Sequence, residues 1–260
     1  MIKDTLRYYK NELRNFLVSP KDYAYTKKFI HYMNDKARSI GMSSSKFDTA
    51  SGASWTAYST AHDLYILTDI FCSNHLLRSF CETHKAVLNM KEIHNHALDE
   101  AAAVFDFPIA VKTGTYGSRN KAVCLSSKSV TICIMSNDKT VFDDIFSTAK
   151  TIISGTYIPT DSIGYYGFSD SNKYEYNPDK HFLPASTTKL LTALCAYDVC
   201  GLNGTVTVKP IDIALGSGSL YSIGNTFSMS DAVQIMLMES SNTLANAIAR
   251  TCGPMIYQPR

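Results

Sequence analysis

The sequence predicts a mixed α/β (α+β) protein, an antiparallel sheet flanked by helices and joined to an all-helical subdomain. Three observations predict it. Residues 26–40 repeat apolar side chains at helical spacing, with Phe29, Ile30, Met33, Ala37 and Ile40 on one face. The middle of the chain carries two β-branched runs, Ala122-Val123-Cys124-Leu125 and Val130-Thr131-Ile132-Cys133-Ile134-Met135. Helical spacing then returns from Ser186 to the C-terminal region, so the helical stretches bracket a sheet.

In chain order, Leu6, Tyr9, Leu13, Phe16 and Leu17 predict a helix over residues 5–17, stopped by Ser19-Pro20. The helix at 26–40 ends at Gly41, a residue suited to closing a helix. A Ser-rich loop spans residues 42–52. Residues 58–81 read as further helix, with Ala61, Leu64, Leu67, Ile70 and Phe71 in register. The polar stretch around Glu92, His94 and His96 reads as a surface loop, and no acidic or cysteine partner stands at a spacing that would complete a metal site there. A short apolar run, residues 107–111, leads into Lys112-Thr113-Gly114. The polar segment 126–129 turns the two β-branched runs into a hairpin. An amphipathic helix follows at 140–153, then a strand at 162–168, a turn at 170–172 and a second strand at 173–176. The helix starting near Ser186 carries Leu190, Leu191, Leu194 and Ala196. Residues 201–228 are rich in Gly and Ser, and a last helix pair begins at Ser230-Asp231.

At 260 residues the chain can bury a full core. A net charge of +2 is too small to make nucleic acid or an anionic membrane the main partner. No run reaches the roughly 18 apolar residues of a membrane span, and the N-terminus shows no apolar signal core. The seven cysteines cannot all pair, and none stands in a Cys-x-x-Cys spacing, so they are expected as buried free thiols.

Three short motifs carry chemistry: Lys112-Thr113-Gly114, then Ser186-Thr187-Thr188-Lys189, then Ser240-Ser241-Asn242. Singly they are weak. Ser-x-x-Lys recurs, for instance from Ser43, Ser118 and Ser147, and Ser-x-Asn recurs at Ser118. Context separates position 186 from the others. A serine at a helix start places its Oγ near free backbone N–H groups and the positive end of the helix dipole. A lysine three residues on projects from the same face, and a hydroxyl nucleophile needs such a base.

The stretch from Tyr176 to Leu194, with Pro184-Ala185-Ser186-Thr187-Thr188-Lys189 at its centre, resembles the nucleophile segment of serine D-alanyl-D-alanine carboxypeptidases in the penicillin-binding protein and β-lactamase superfamily. The stretch from Met236 to Ala245 resembles that family's helix and Ser-x-Asn loop. Residues 29–41 and 42–52, and the start at Tyr58-Ser59-Thr60-Ala61-His62-Asp63, resemble segments that follow Ser-x-Asn in the family. The family's order is Ser-x-x-Lys, Ser-x-Asn, Lys-Thr-Gly. Here the last stands first, so the resemblance implies a circularly permuted β-lactamase/DD-peptidase-like fold. Residues 1–85 and 190–260 would form the all-helical subdomain, and 86–189 the α/β sheet subdomain, of one transpeptidase-like catalytic domain.

The resemblance implies catalytic roles for Ser186, Lys189, Ser240, Asn242 and Lys112, with Thr113, Gly114 and Thr115 binding substrate. It implies an oxyanion hole at the backbone N–H groups of Ser186 and Thr115. No metal and no cofactor is expected. The implied partners are peptidoglycan stem peptides and β-lactams, the implied setting is extracytoplasmic, and the site could be completed within a monomer or in a swapped dimer. A class A β-lactamase would need a deacylating glutamate within residues 20–55 in the rotated order. That window holds none, which favours a carboxypeptidase or penicillin-binding protein over a class A β-lactamase. A catalytically weak peptidoglycan- or β-lactam-binding module is the reading from a different class.

Overall fold

The computed structural model describes residues 19–218 and 221–256, so the helix predicted over residues 5–17 lies outside the described residues. The described chain is a mixed α/β structure with antiparallel sheets flanked by helices, as the sequence predicts.

The first helix, α1 (Pro20–Ser39), buries Phe29, Met33 and Ala37, a four-residue spacing that makes one stripe. It starts six residues before the predicted start, because Pro20 opens this helix at a first-turn position. The helix predicted over 58–81 is two helices, α2 (Ala61–Ser73) and α3 (His75–Glu82). Asn74 divides them: its side chain accepts from the backbone N–H of Leu76 and Leu77, capping a new helix. The polar loop expected around residues 92–96 is instead a hairpin, β1 (Lys85–Leu88) with β2 (Lys91–His94), followed by α4 (His96–Ala102). Its two turn residues, Asn89 and Met90, have φ of 51° and 61°, the left-handed pair that a two-residue hairpin turn needs.

The main sheet has five antiparallel strands in the order β3 (Ala110–Tyr116), β4 (Asn120–Ser126), β5 (Val130–Ser136), β6 (Ile163–Ser169) and β7 (Lys173–Tyr176). The predicted hairpin is the β4–β5 pair, with Leu125 opposite Ile132 and Cys124 opposite Cys133. These strands read as unbroken apolar runs because both faces are covered. On one face Ala110, Ala122, Cys124, Cys133 and Met135 join the helical core. On the other, Val111, Val123, Leu125, Ile132 and Ile134 pack with Leu98, Val141, Phe146 and Ile152. The helix predicted at 140–153 is likewise divided, into α5 (Lys139–Asp143) and α6 (Ile145–Ile153), by Asp144, which caps α6 through Ser147 N–H.

After the sheet come α7 (Thr188–Cys200), a small ladder of β8 (Thr205–Thr207) with β9 (Thr226–Ser228), then α8 (Met229–Met238) and α9 (Asn242–Cys252). The stretch 190–260 is therefore not all helical, since the β8–β9 ladder lies within it; three-residue strands in a Gly/Ser-rich run leave little periodicity to read. Helix α1 lies against α9, and Lys28 Nζ donates to Ile256 O at 2.6 Å, so both described ends of the chain meet in the helical half. Among the described residues, no helix is long and apolar enough to cross a membrane.

Candidate active site

Ser186 lies in a short 3-10 turn, Ala185–Thr187, that runs directly into α7. One helical turn later the Lys189 side chain comes back to it, and Lys189 Nζ is 2.7 Å from Ser186 Oγ. Lys189 Nζ also donates to Asn242 Oδ1 at 2.8 Å and to the main-chain carbonyl of Ser51 at 2.8 Å. Lys189 is wholly buried. Burial, and then the like charge of Lys112, hold its pKa well below the ordinary lysine value of 10.5. The three contacts suit the neutral amine. Two partners are carbonyl oxygens, which only accept, so the two N–H bonds go to them. The lone pair then faces Ser186, whose hydroxyl can donate.

The turn itself is gripped by two glycines. A Cβ on Gly52 would fall 1.8 Å from Ala185 O, and Gly52 has φ +77°, so loop 42–52 lies backbone to backbone on the turn. A Cβ on Gly114 would fall 2.7 Å from Pro184 O and 2.9 Å from Ser186 N. Strand β3, the sheet edge, is thereby brought against the opposite side of Ser186. Ala185 between them has φ +47°, a left-handed conformation held by these contacts.

On β3, Lys112 Nζ donates to Ser240 Oγ at 3.1 Å and to Thr113 O at 2.9 Å. Lys112 is buried, and that burial brings its pKa down to about 8, against an upward pull from the Cys81 and Cys124 thiols. Thr113 is half-buried and Thr115 exposed on the same strand. Ser240 follows α8 with φ +61°, again left-handed. Ser241 is turned away from the site: its Oγ caps α9 by accepting from Leu244 N–H at 3.3 Å. Asn242, the first residue of α9, then points its amide at Lys189, and its Nδ2 donates to Leu215 O at 3.2 Å.

Residues 213–218 lie over this corner. Asn242 N–H donates to Ser217 O, and a Cβ on Gly218 would fall 2.4 Å from Ser241 Cα. The segment is anchored by a buried ion pair in which Arg250 donates to Asp212 at 2.8 Å from Nη2 and 3.0 Å from Nε.

Lys112, Ser186, Lys189, Ser240 and Asn242 are thus brought to one corner between β3, α7 and the start of α9, with Thr113, Gly114 and Thr115 along its edge. Sequence reasoning missed three participants. The Ser51 and Leu215 carbonyls are main-chain atoms and leave no residue-type signal. The Gly52 contact was findable, because a glycine closes the loop that the family resemblance singles out. Away from this corner, the Glu92, His94 and His96 group pairs within itself: Glu92 contacts His94 and the two imidazoles stack, 5.8 Å between ring centres. Among the described residues, no group of three or more histidine, cysteine or carboxylate side chains is placed to hold a metal ion.

A family model described as the β-lactamase enzyme family matches residues 145–255. Ser186, Lys189, Ser240 and Asn242 lie inside the matched stretch, and Lys112-Thr113-Gly114-Thr115 lie ahead of it. No curated protein and no solved structure matches the chain. Over residues 145–255 the chain is therefore similar to β-lactamases, which supports the β-lactamase and penicillin-binding superfamily, and its serine acyl-transfer chemistry, as the frame for this site.

Proposed function

We propose that the protein is a serine acyl-transfer hydrolase of the penicillin-binding type, a D-Ala-D-Ala carboxypeptidase that β-lactams acylate. The observation that carries this reading is the placement of Lys189 Nζ, 2.7 Å from Ser186 Oγ and 2.8 Å from Asn242 Oδ1. Neutral Lys189 takes the Ser186 proton as Oγ attacks the penultimate carbonyl of the peptide. The negative oxygen of the tetrahedral intermediate sits against the backbone N–H groups of Ser186 and Thr115. Lys112 attracts the terminal carboxylate, which Thr113 and Thr115 bind. Ser240, in contact with Lys112, passes a proton to the leaving D-alanine, and Asn242 holds the substrate amide. Water then releases the acyl group.

The order of the motifs is read as a circular permutation of the family's chain. In support, the segments at 42–52 and 110–116, which the family carries after Ser-x-Asn, here precede the nucleophile and still pack on it. The site is completed either within a monomer or in a swapped dimer, and solution mass at low protein concentration together with penicillin reactivity separates the two.

A β-lactamase is the second reading. Against it, the hydrogen-bond partners of Lys189 are a hydroxyl, an amide and a main-chain carbonyl, with no carboxylate among them to activate a hydrolytic water. The discriminating experiment offers the protein a stem peptide ending in D-Ala-D-Ala and, separately, penicillin. Catalytic release of D-alanine with slow penicillin turnover is expected. Fast penicillin turnover with no D-alanine release would replace the carboxypeptidase reading with the β-lactamase one.

A further inference from the structure

Two helices hold Lys189 and Asn242 at the site, and they run in the same direction. Helix α7 runs from the nucleophile turn to Cys200, and α9 runs from Asn242 to Cys252. Their N-terminal ends meet at the Lys189–Asn242 contact of 2.8 Å. Their C-terminal ends meet at Cys200 and Cys252, whose Sγ atoms are 3.9 Å apart. Lys189 to Cys200 and Asn242 to Cys252 are nearly equal spans of helix, each ~15 Å at 1.5 Å per residue. The helices therefore lie side by side, parallel and in register, tied at one end and thiol to thiol at the other.

From this juxtaposition we infer that Cys200 and Cys252 are a redox-sensitive modification site, closing to a disulfide that staples α7 to α9 at the end remote from Ser186. Their sulfurs stand in van der Waals contact, and forming the bond needs them to close to ~2.05 Å. Cys200 is the last residue of its helix, followed by the left-handed Gly201, so its side of the pair adjusts at a helix end, while α9 runs on from Cys252 into the 3-10 turn Gly253–Met255. Access also singles out this pair. Cys200 is half-buried while the other six thiols are buried, so a soluble oxidant reaches Cys200 first. The Cys252 contact further lowers the Cys200 thiol from its ordinary value, which favours Cys200 as the attacking thiolate of the pair. The cross-strand pair Cys124 and Cys133 has no such access, being buried between the sheet and the helical core.

The oxidant is a low-molecular-weight disulfide. The Cys200 thiolate attacks one sulfur of it, forming a mixed disulfide and releasing one thiolate. The Cys252 thiol gives its proton to that thiolate and attacks the Cys200 sulfur, forming the Cys200–Cys252 bond and releasing the second thiolate, which takes a proton from water. Two protein thiols are oxidised and one small disulfide is reduced to two thiols.

The test uses the full chain with oxidised glutathione as the probe. Expected are an intact mass lower by two hydrogens, a peptide map joining the Cys200 and Cys252 peptides, and a Tm raised by several degrees that dithiothreitol reverses. Cys200→Ser and Cys252→Ala should each abolish the cross-link, with Cys252→Ala leaving a stable glutathione adduct on Cys200. A cross-link among Cys72, Cys81, Cys124 and Cys133, or a glutathione adduct on Cys200 of the unaltered chain that never resolves, would overturn the inference. So would a chain that stays fully reduced. None of these readouts depends on acylation of Ser186, so they separate from the fate of the proposed function.

Discussion

Lys189 and Lys112 are both buried lysines at one corner of the molecule, yet the two regions hold them differently. Lys189 is shared by three elements: the nucleophile turn, the start of α9 and loop 42–52 each place an oxygen on it. Lys112 contacts one hydroxyl, that of Ser240, and the carbonyl of its own neighbour Thr113. Burial lowers both pKa values. At Lys189 the nearby charge of Lys112 pushes in the same direction, whereas at Lys112 the Cys81 and Cys124 thiols push back. Two identical residues are thereby driven apart, one toward a neutral base and the other toward a retained cation up to about pH 8. Residue type sets what a site can do; the neighbours assign which copy does it.

The comparison breaks first at Lys189. Replacement by alanine should lower the second-order rate constant for penicillin acylation ~10³-fold. It also leaves Asn242 Oδ1 and the Ser51 carbonyl without a donor, at about 1–3 kcal/mol each. Stopped-flow acylation and denaturant unfolding measure the two effects separately. An acylation rate within a few fold of the unaltered protein would remove Lys189 as the base.

Gly52→Ala tests whether loop 42–52 must lie backbone to backbone on the nucleophile turn. The new Cβ would meet Ala185 O at 1.8 Å and sit at a positive φ. A loss of ~3 kcal/mol or more in unfolding free energy is expected. Gly155→Ala is the matched control, since Gly155 also has a positive φ, +74°, but open space around it; it should lose only ~1 kcal/mol.

The two lysines should also separate by pH. Acylation needs Lys189 neutral, so the rate rises with pH through a pKa that burial and the charge of Lys112 hold below the ordinary lysine range. Carboxylate binding needs Lys112 charged, so the rate falls as pH rises through about 8. Lys112→Arg keeps the cation and should move that alkaline limb upward. A pH profile of kcat/KM reads both limbs, and an unchanged alkaline limb in Lys112→Arg would assign it to another group. The smallest effect is expected at Ser241→Ala, which removes the α9 cap for ~1 kcal/mol of stability while leaving the acylation chemistry in place. Thermal melting checks the first part and penicillin acylation the second.

Much of this was legible in the residues. The β4–β5 hairpin was readable because both faces are covered and the strands run apolar throughout. Ser186 and Lys189 were readable because a helix fixes the geometry of residues three apart. The breaks at Asn74 and Asp144 were not, since apolar periodicity continues across both and only the cap geometry reveals the new start. The β1–β2 hairpin was hidden because β1 alternates only between exposed and half-buried positions, β2 buries a single residue, Ile93, and the turn is Asn89-Met90, without the usual glycine. In the site, side chains were predictable and main-chain partners were not: a carbonyl such as that of Ser51 looks the same in every residue.

The most direct test of the central claim is intact mass spectrometry after incubation with benzylpenicillin, followed by peptide mapping. The arrangement of Ser186 beside a neutral Lys189 predicts one added penicillin mass, located on Ser186 and absent from Ser186→Ala. No adduct at any time point, or an adduct that survives Ser186→Ala, would contradict it.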